Sequence, residues 1–338
     1  MYDGFFFTLI FEFGIMLKVI KIMQEVKMDN LELFYDVLDE SNNFLYEIFH
    51  KPYFELLEMT VRNILAGEVV CDIEDLDKEE ELEEIYAKIK DVDFSAEDVR
   101  KAMQSIVLRG FKEMRIPNGN TTPDTLGILA AYLITKIHKE KELSILDPLC
   151  GTGNLLFTIA NYLDKKTKLF AIDDNEWMTK ITALTADLLD YPVEVYYQNT
   201  MSLQLSNIDS IVFDMPHSEY IDGKYFPYEA ILHFVNELKE DGSMIAIVEN
   251  DFFDYDSNQE FKKKLLESMS ILGIIELPDS MFNQARPKLI LVLQKRQLKD
   301  AKCFMVKLPS FDDVEDFNNA LRDIEAWFLK NNYNKKGK

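Results

Sequence analysis

Basic residues are in short supply in this sequence: 37 Lys and Arg stand against 60 Asp and Glu, a formal net charge of −23 over 338 residues. Phosphate neutralisation by basic side chains supplies most non-specific affinity for nucleic acid. The overall charge therefore opposes independent binding to a polyanion and lowers the expected affinity, although a basic cleft can sit on an acidic protein. Cysteine is equally sparse. Cys71, Cys150 and Cys303 form no Cys-x-x-Cys pair and are odd in number, which excludes a disulfide framework and suits a reducing cytoplasm. Four scattered histidines offer no metal-ligand spacing, so no metal is expected. The one long apolar stretch, residues 5–22, is flanked by Asp3 and broken by Glu12, with no basic segment ahead of it. That pattern argues against a secretory signal, a spanning helix and any membrane association. Residues 1–27 are read as an apolar extension, either an additional packed helix or translated upstream sequence with Met28 beginning the native protein.

What is present, 47 % hydrophobic residues in a chain of this length, is enough to bury a full α/β domain and a second unit. Residues 28–116 read as helical. Leu31, Phe34 and Leu38, then Phe44, Leu45, Ile48 and Phe49, recur at three- and four-residue steps, and Pro52 marks a new start. Ser95 followed by Glu97 and Asp98 marks another helix start, with Val99, Met103, Ile106 and Val107 on its buried face. The acidic run 72–84 reads as a solvated face, with a surface for a basic partner as the sharper alternative. Beyond a turn at residues 117–120, apolar strands alternate with helices as far as Val248, which predicts a mostly parallel sheet covered on both faces over residues 117–310. Residues 311–338 read as a terminal helix with Val314, Phe317, Leu321, Ile324 and Phe328 on one face.

Residues 146–154, Leu-Asp-Pro-Leu-Cys-Gly-Thr-Gly-Asn, carry the most specific signal. They lie where an apolar strand passes into an apolar helix, with an acid before a glycine turn that allows close backbone approach. Leu156 stands where a dinucleotide fingerprint has its third glycine, and no Gly-Lys-Ser/Thr follows, which disfavours NAD, FAD and a phosphate-binding P-loop. An Asp at 147 would repel a pyrophosphate but can accept a hydrogen bond from the ammonium of a methionine moiety. A second strand ends in Asp173, placed to hold ribose hydroxyls. The pattern predicts S-adenosyl-L-methionine.

Three further segments then bring a family into view. Residues 120–127, Asn-Thr-Thr-Pro-Asp-Thr-Leu-Gly, precede the loop; residues 275–282, Ile-Glu-Leu-Pro-Asp-Ser-Met-Phe, follow it; and Asp214-Met215-Pro216-His217 closes an apolar strand between them. In this order they resemble the N6-adenine-specific DNA methyltransferases, particularly the modification subunits of type I restriction systems and their smaller stand-alone bacterial relatives. The resemblance implies a class I, Rossmann-like, seven-stranded sheet behind a helical N-terminal domain, with strands 271–277 and 288–294 as an antiparallel closing pair. It also implies cofactor contacts from Thr121, Thr122, Pro123, Asp147, Pro148, Cys150, Gly151, Thr152, Gly153, Asp173 and Asn199. Asp214 and the Pro216 carbonyl would accept the hydrogens of a target amine, His217 would stack on the flipped base, and Phe282 would line the base pocket, unless it is simply core.

Met215 and His217 depart from the family's Asp/Asn-Pro-Pro-aromatic loop, and no segment is long enough for a target recognition domain. DNA is thus the expected partner, bound weakly by the isolated chain, with a separate specificity subunit or a homodimer completing the assembly. Two other classes stay open: a cofactor-binding regulatory or assembly protein that has lost catalysis, and a methyltransferase acting on RNA or protein. The charge lining the cleft beside Asp214 is the discriminator: Lys224, Arg286 and Lys288, the nearest basic residues in sequence, favour nucleic acid if they cluster there and the regulatory reading if they are dispersed.

Overall fold

The computed structural model describes residues 28–117, 121–163, 165–216, 220–221, 223–256, 258–282, 286–296 and 303–331. The apolar extension 1–27 and His217 lie outside the described residues. The chain divides into two compact units, Met1–Asn118 with Asp187–Asp190, and Gly119–Ala186 with Tyr191–Lys338.

Among the described residues the first unit holds four helices, α1 (Met28–Phe49), α2 (Tyr53–Ala66), α3 (Leu76–Ala87) and α4 (Ala96–Met114). Their boundaries follow from local chemistry. Pro52 supplies the pre-set φ of −57° at the start of α2, and Gly67 ends that helix in the left-handed region at φ 73°. Ser95 caps α4 in a reciprocal box. Its hydroxyl accepts from the Asp98 N–H at 3.2 Å while the Asp98 carboxylate accepts from the Ser95 N–H at 3.0 Å. Of the predicted stripes, Phe34, Leu38, Leu45, Val99, Met103, Ile106 and Val107 are buried, whereas Leu31, Phe44, Ile48 and Phe49 are half-buried. α1 packs against α2, α3 and α4.

The second unit runs α5 (Asp124–Ile137), β1 (Glu142–Asp147), α6 (Asn154–Tyr162), β2 (Lys166–Asp173), α7 (Glu176–Leu189), β3 (Val193–Tyr197), β4 (Ile208–Asp214), a hairpin of β5 (Tyr220–Ile221) and β6 (Lys224–Tyr225), α8 (Phe226–Phe234), β7 (Leu238–Glu249), α9 (Glu260–Ser268), β8 (Ser270–Glu276), β9 (Lys288–Gln294), β10 (Phe304–Lys307) and α10 (Val314–Lys330). The main sheet has the order β3-β2-β1-β4-β7-β9-β8-β10. Strands β3, β2, β1, β4 and β7 are mutually parallel, and β9 is antiparallel to both β7 and β8. In β2, β4, β7 and β9 four or more consecutive residues are buried. Side chains alternate between the two faces of a strand, so such runs require that helices cover both.

Two expectations need correction. Among the described residues the sheet has eight strands rather than seven, because β10 adds to the edge parallel to β8. This strand is four residues long and buries only Phe304 and, in part, Val306, so no apolar run announces it. Phe304 is seated over Gly273 of β8, where a Cβ would meet the phenyl ring at 2.0 Å. In α10 the buried stripe begins at Phe317, since Val314 is 49 % exposed in the first turn.

Candidate active site

The strand order reverses direction between β1 and β4, because the chain moves outward through β2 and β3 and then returns to the other side of β1. At such a switch point the loops beyond the carboxyl ends diverge and leave a crevice. Three acids, Asp147, Asp173 and Asp214, end β1, β2 and β4 at this edge. Asp147 is 1 % exposed, and its carboxylate accepts the Leu149 N–H at 3.1 Å. Burial, reinforced by the charges of Asp173 and Asp214, pushes its carboxyl from the ordinary range up to about 8. Asp173 is half-buried and is likewise raised by desolvation, against the pull of two backbone donors. Gly151 N–H reaches one of its oxygens and Asn175 N–H the other, each at 2.9 Å.

The glycine loop between β1 and α6 is shaped by these contacts. Gly151 and Gly153 have φ of 51° and 78°, and a Cβ on Gly153 would lie 2.5 Å from the Phe157 ring. Cys150 is buried and its N–H is tied to the Ile172 carbonyl at 2.9 Å, while burial drives its thiol well above the ordinary range. A thiol held protonated in this way is packing rather than nucleophile. Thr152 and Pro148 are buried too, and the Pro148 carbonyl accepts from Thr200 Oγ1 at 2.6 Å. Asn199 follows β3 and is exposed. Its Oδ1 accepts the Met201 N–H at 2.9 Å and caps the 200–202 turn.

The Thr-Pro segment joins this edge through side chains. Asn154, the first residue of α6, donates to the Thr122 carbonyl at 2.7 Å and to the Asp124 carboxylate at 3.1 Å. Thr122 Oγ1 in turn donates to Asp214 Oδ2 at 3.0 Å. Thr121 Oγ1 is buried without a hydrogen-bond partner. An orphaned buried hydroxyl next in sequence to Thr122 is a ready contact for a polar ligand. Pro123 is exposed and precedes α5 at φ −59°.

Two sets of contacts define the arrangement at Asp214. Met215 is 2 % exposed, and its N–H donates to the Ile247 carbonyl at 2.9 Å. The loop is thus fixed by a bond to β7 that a proline at this position could not make. Furthermore, Lys288 Nζ donates to Asp214 Oδ1 at 2.5 Å and to the Met215 carbonyl at 3.1 Å. The carbonyl that meets the same nitrogen as the Asp214 carboxylate is thus that of Met215, with Pro216 one residue beyond. Both groups of the ion pair are shielded, 12 % and 17 % exposed. Of the other two basic residues, Arg286 lies 3.4 Å from Glu249 and 3.7 Å from Asp251, and Lys224 lies 3.1 Å from Glu229. Phe282 is half-buried just after a 3-10 turn over Asp279–Met281, with its N–H bonded to the Asp279 carbonyl at 3.0 Å.

Sequence reasoning named Thr122, Asp147, Asp173 and Asp214 but not their connections. Asn154 and the two contacts of Lys288 were missed. The available signal was topological: an antiparallel β9 starts where its parallel neighbours end, so its first residue must fall at the carboxyl edge.

Comparison with known proteins is consistent with this geometry. Residues 32–111 match the model of the YtxK N-terminal helical domain, and residues 118–336 match that of the N-6 DNA methylases. The uncharacterized protein YtxK of Bacillus subtilis (strain 168) is 28 % identical over 333 residues, which span 90 % of this chain and 99 % of that one. A Listeria monocytogenes protein assigned as a class I S-adenosylmethionine-dependent methyltransferase has a crystal structure that superposes with a TM-score of 0.79 at 28 % identity, covering 89 % of this chain and 99 % of that chain. The methyltransferase subunit of a type I restriction-modification system from Streptococcus thermophilus shares the fold with a TM-score of 0.59 at 13 % identity, over 81 % of this chain and 71 % of that one. With well over half of its length matched, the chain belongs to the N-6 DNA methylase family of class I methyltransferases, whose cofactor is S-adenosyl-L-methionine.

Proposed function

We propose that the chain transfers a methyl group to an exocyclic amine of a nucleic-acid base, with adenine N6 in DNA as the target. The observation that carries this reading is the convergence of Asp214 Oδ1 and the Met215 carbonyl on a single nitrogen at 2.5 and 3.1 Å. Two acceptors spaced in that way suit a group that presents two N–H donors. Bound S-adenosyl-L-methionine supplies an electrophilic methyl group. Asp173 would take the ribose hydroxyls, with Asn199 near the adenine. Asp147 and the free hydroxyl of Thr121 would hold the methionine end beside Thr122 and Pro123. The backbone of Pro148, Cys150, Gly151, Thr152 and Gly153 would form the wall against which the cofactor lies.

The chain's own groups then do the positioning. Asp214 and the Met215 carbonyl hold the amine by its hydrogens, turn its lone pair toward the cofactor and stabilise the positive charge that grows on nitrogen. Phe282 would border the base, and His217 would stack on it. Sequence selection is assigned to a separate specificity subunit or to a second copy of the chain, in keeping with the net charge of −23. Among the described residues no helix is long and apolar enough to cross a membrane.

Incubating the full chain with radiolabelled cofactor and separate pools of DNA, RNA and extract protein tests the reading. Label is expected in N6 of DNA adenine, and Asp214→Ala should abolish it while the cofactor still binds. Label confined to RNA or protein moves the substrate. No label in any pool, with cofactor binding intact, overturns catalysis altogether.

A further inference from the structure

Lys288 belongs to none of the roles above, yet its ammonium sits where the target amine would. It donates to Asp214 Oδ1 and to the Met215 carbonyl, the two acceptors that the chemistry requires. The second carboxylate oxygen receives Thr122 Oγ1 at 3.0 Å. In the resting chain the acceptor pair is therefore filled by a cation from within the protein. The contact is built rather than incidental. Lys288 opens β9 opposite Glu249 of β7, and β7 is also the strand that pairs with the Asp214 end of β4. With the two charged groups only 12 % and 17 % exposed, solvent screens their attraction weakly.

Resting on the reading of an exocyclic amine as the acceptor, we infer that Lys288 is a specificity-determining plug: it holds the acceptor pair until a base amine arrives on a phosphate-bearing chain that can take the displaced ammonium. An amine brings two N–H donors but no charge, so it can replace the hydrogen bonds of Lys288 and not its neutralising role. A free nucleoside would leave the ammonium stranded in a shielded position, which is costly. A nucleotide chain offers a phosphate beside the base, and the flexible four-carbon stem of lysine lets the ammonium swing to it. The plug thereby rejects isolated bases and nucleosides and admits the same base within nucleic acid. No covalent step is added. One ion pair is exchanged for another.

The test uses the full chain, with adenosine and an adenine-containing single-stranded DNA oligonucleotide as paired probes in the methylation assay. Lys288→Met keeps the length of the side chain and removes its charge; Lys288→Arg keeps the charge. In the wild type the oligonucleotide should be strongly preferred. In Lys288→Met the KM for adenosine should fall about tenfold or more, equivalent to ~1.4 kcal/mol, while that for the oligonucleotide gains less or rises. Lys288→Arg should retain the wild-type preference. An unchanged ratio of the two KM values in Lys288→Met, with only kcat reduced, overturns the inference and leaves the amine reading standing. If no form methylates either probe, the amine-transfer reading fails instead. Calorimetric binding of adenosine to the S-adenosylhomocysteine complex then decides the plug: tighter binding by Lys288→Met supports it, and equal or undetectable binding by both forms overturns it.

Discussion

Replacing Asp147 by Asn should change how stability depends on pH far more than it changes stability at acid pH. In the native chain the Asp147 carboxyl is 1 % exposed and is pushed up to about 8 by burial and by the neighbouring acids Asp173 and Asp214. In the unfolded chain it returns to its ordinary value near 3.8. Between these limits the native state keeps a proton that the unfolded state has released, so this group makes stability fall as pH rises. Below about pH 4 both states are protonated and the group contributes nothing. Above about pH 8 both are ionised and the whole penalty is felt. At about 1.4 kcal/mol per pH unit the interval sets an upper limit of about 6 kcal/mol, and relaxation with partial hydration should reduce it to about 2–4 kcal/mol. Asn at 147 keeps an oxygen for the Leu149 N–H and does not titrate. Urea denaturation of both proteins at pH 5, 7 and 9 should show Asp147→Asn gaining steadily on the wild type as pH increases. A stability difference that is the same at all three values would refute the assignment of a proton to buried Asp147.

Much of the fold could be read because its determinants are local. The apolar runs of β1, β2, β4, β7 and β9, the glycine loop at 151–153 and the Ser95 cap each depend on residues close together in sequence. The acids at the tips of β1, β2 and β4 were visible for the same reason, since each ends an apolar strand. What escaped notice depends on distant contacts. β10 is held by one aromatic ring over Gly273 at the sheet edge, and nothing in four residues of alternating burial marks it as a strand. Lys288 and Asp214 are 74 residues apart, and their meeting follows only once β9 is known to run antiparallel beside β7. Met215 stands where the family's loop has a proline, which would constrain the backbone by its ring. Its buried side chain and its bond to Ile247 show that the constraint has been transferred to another part of the sheet.

Two further outcomes test the cofactor wall. Asp173→Ala should weaken S-adenosyl-L-methionine binding by roughly 1–3 kcal/mol in calorimetry, the range for losing hydrogen bonds to a charged group; unchanged affinity would remove Asp173 from the cofactor's ribose. Gly153→Ala should destabilise the fold itself. The residue has φ 78°, a conformation in which a Cβ costs about 1–2 kcal/mol. The added methyl would also stand 2.5 Å from the Phe157 ring and 3.0 Å from Thr182 Cγ2, so one of these must move. Phe157 is fully buried and cannot yield without disturbing its neighbours, and overpacking of this kind adds about 1–3 kcal/mol. A loss of about 2–5 kcal/mol in denaturant unfolding is expected, with cofactor affinity falling as well because the turn and the start of α6 shift together. A variant that unfolds within 1 kcal/mol of the wild type would mean that the loop adapts, and that its left-handed geometry is not what shapes the crevice.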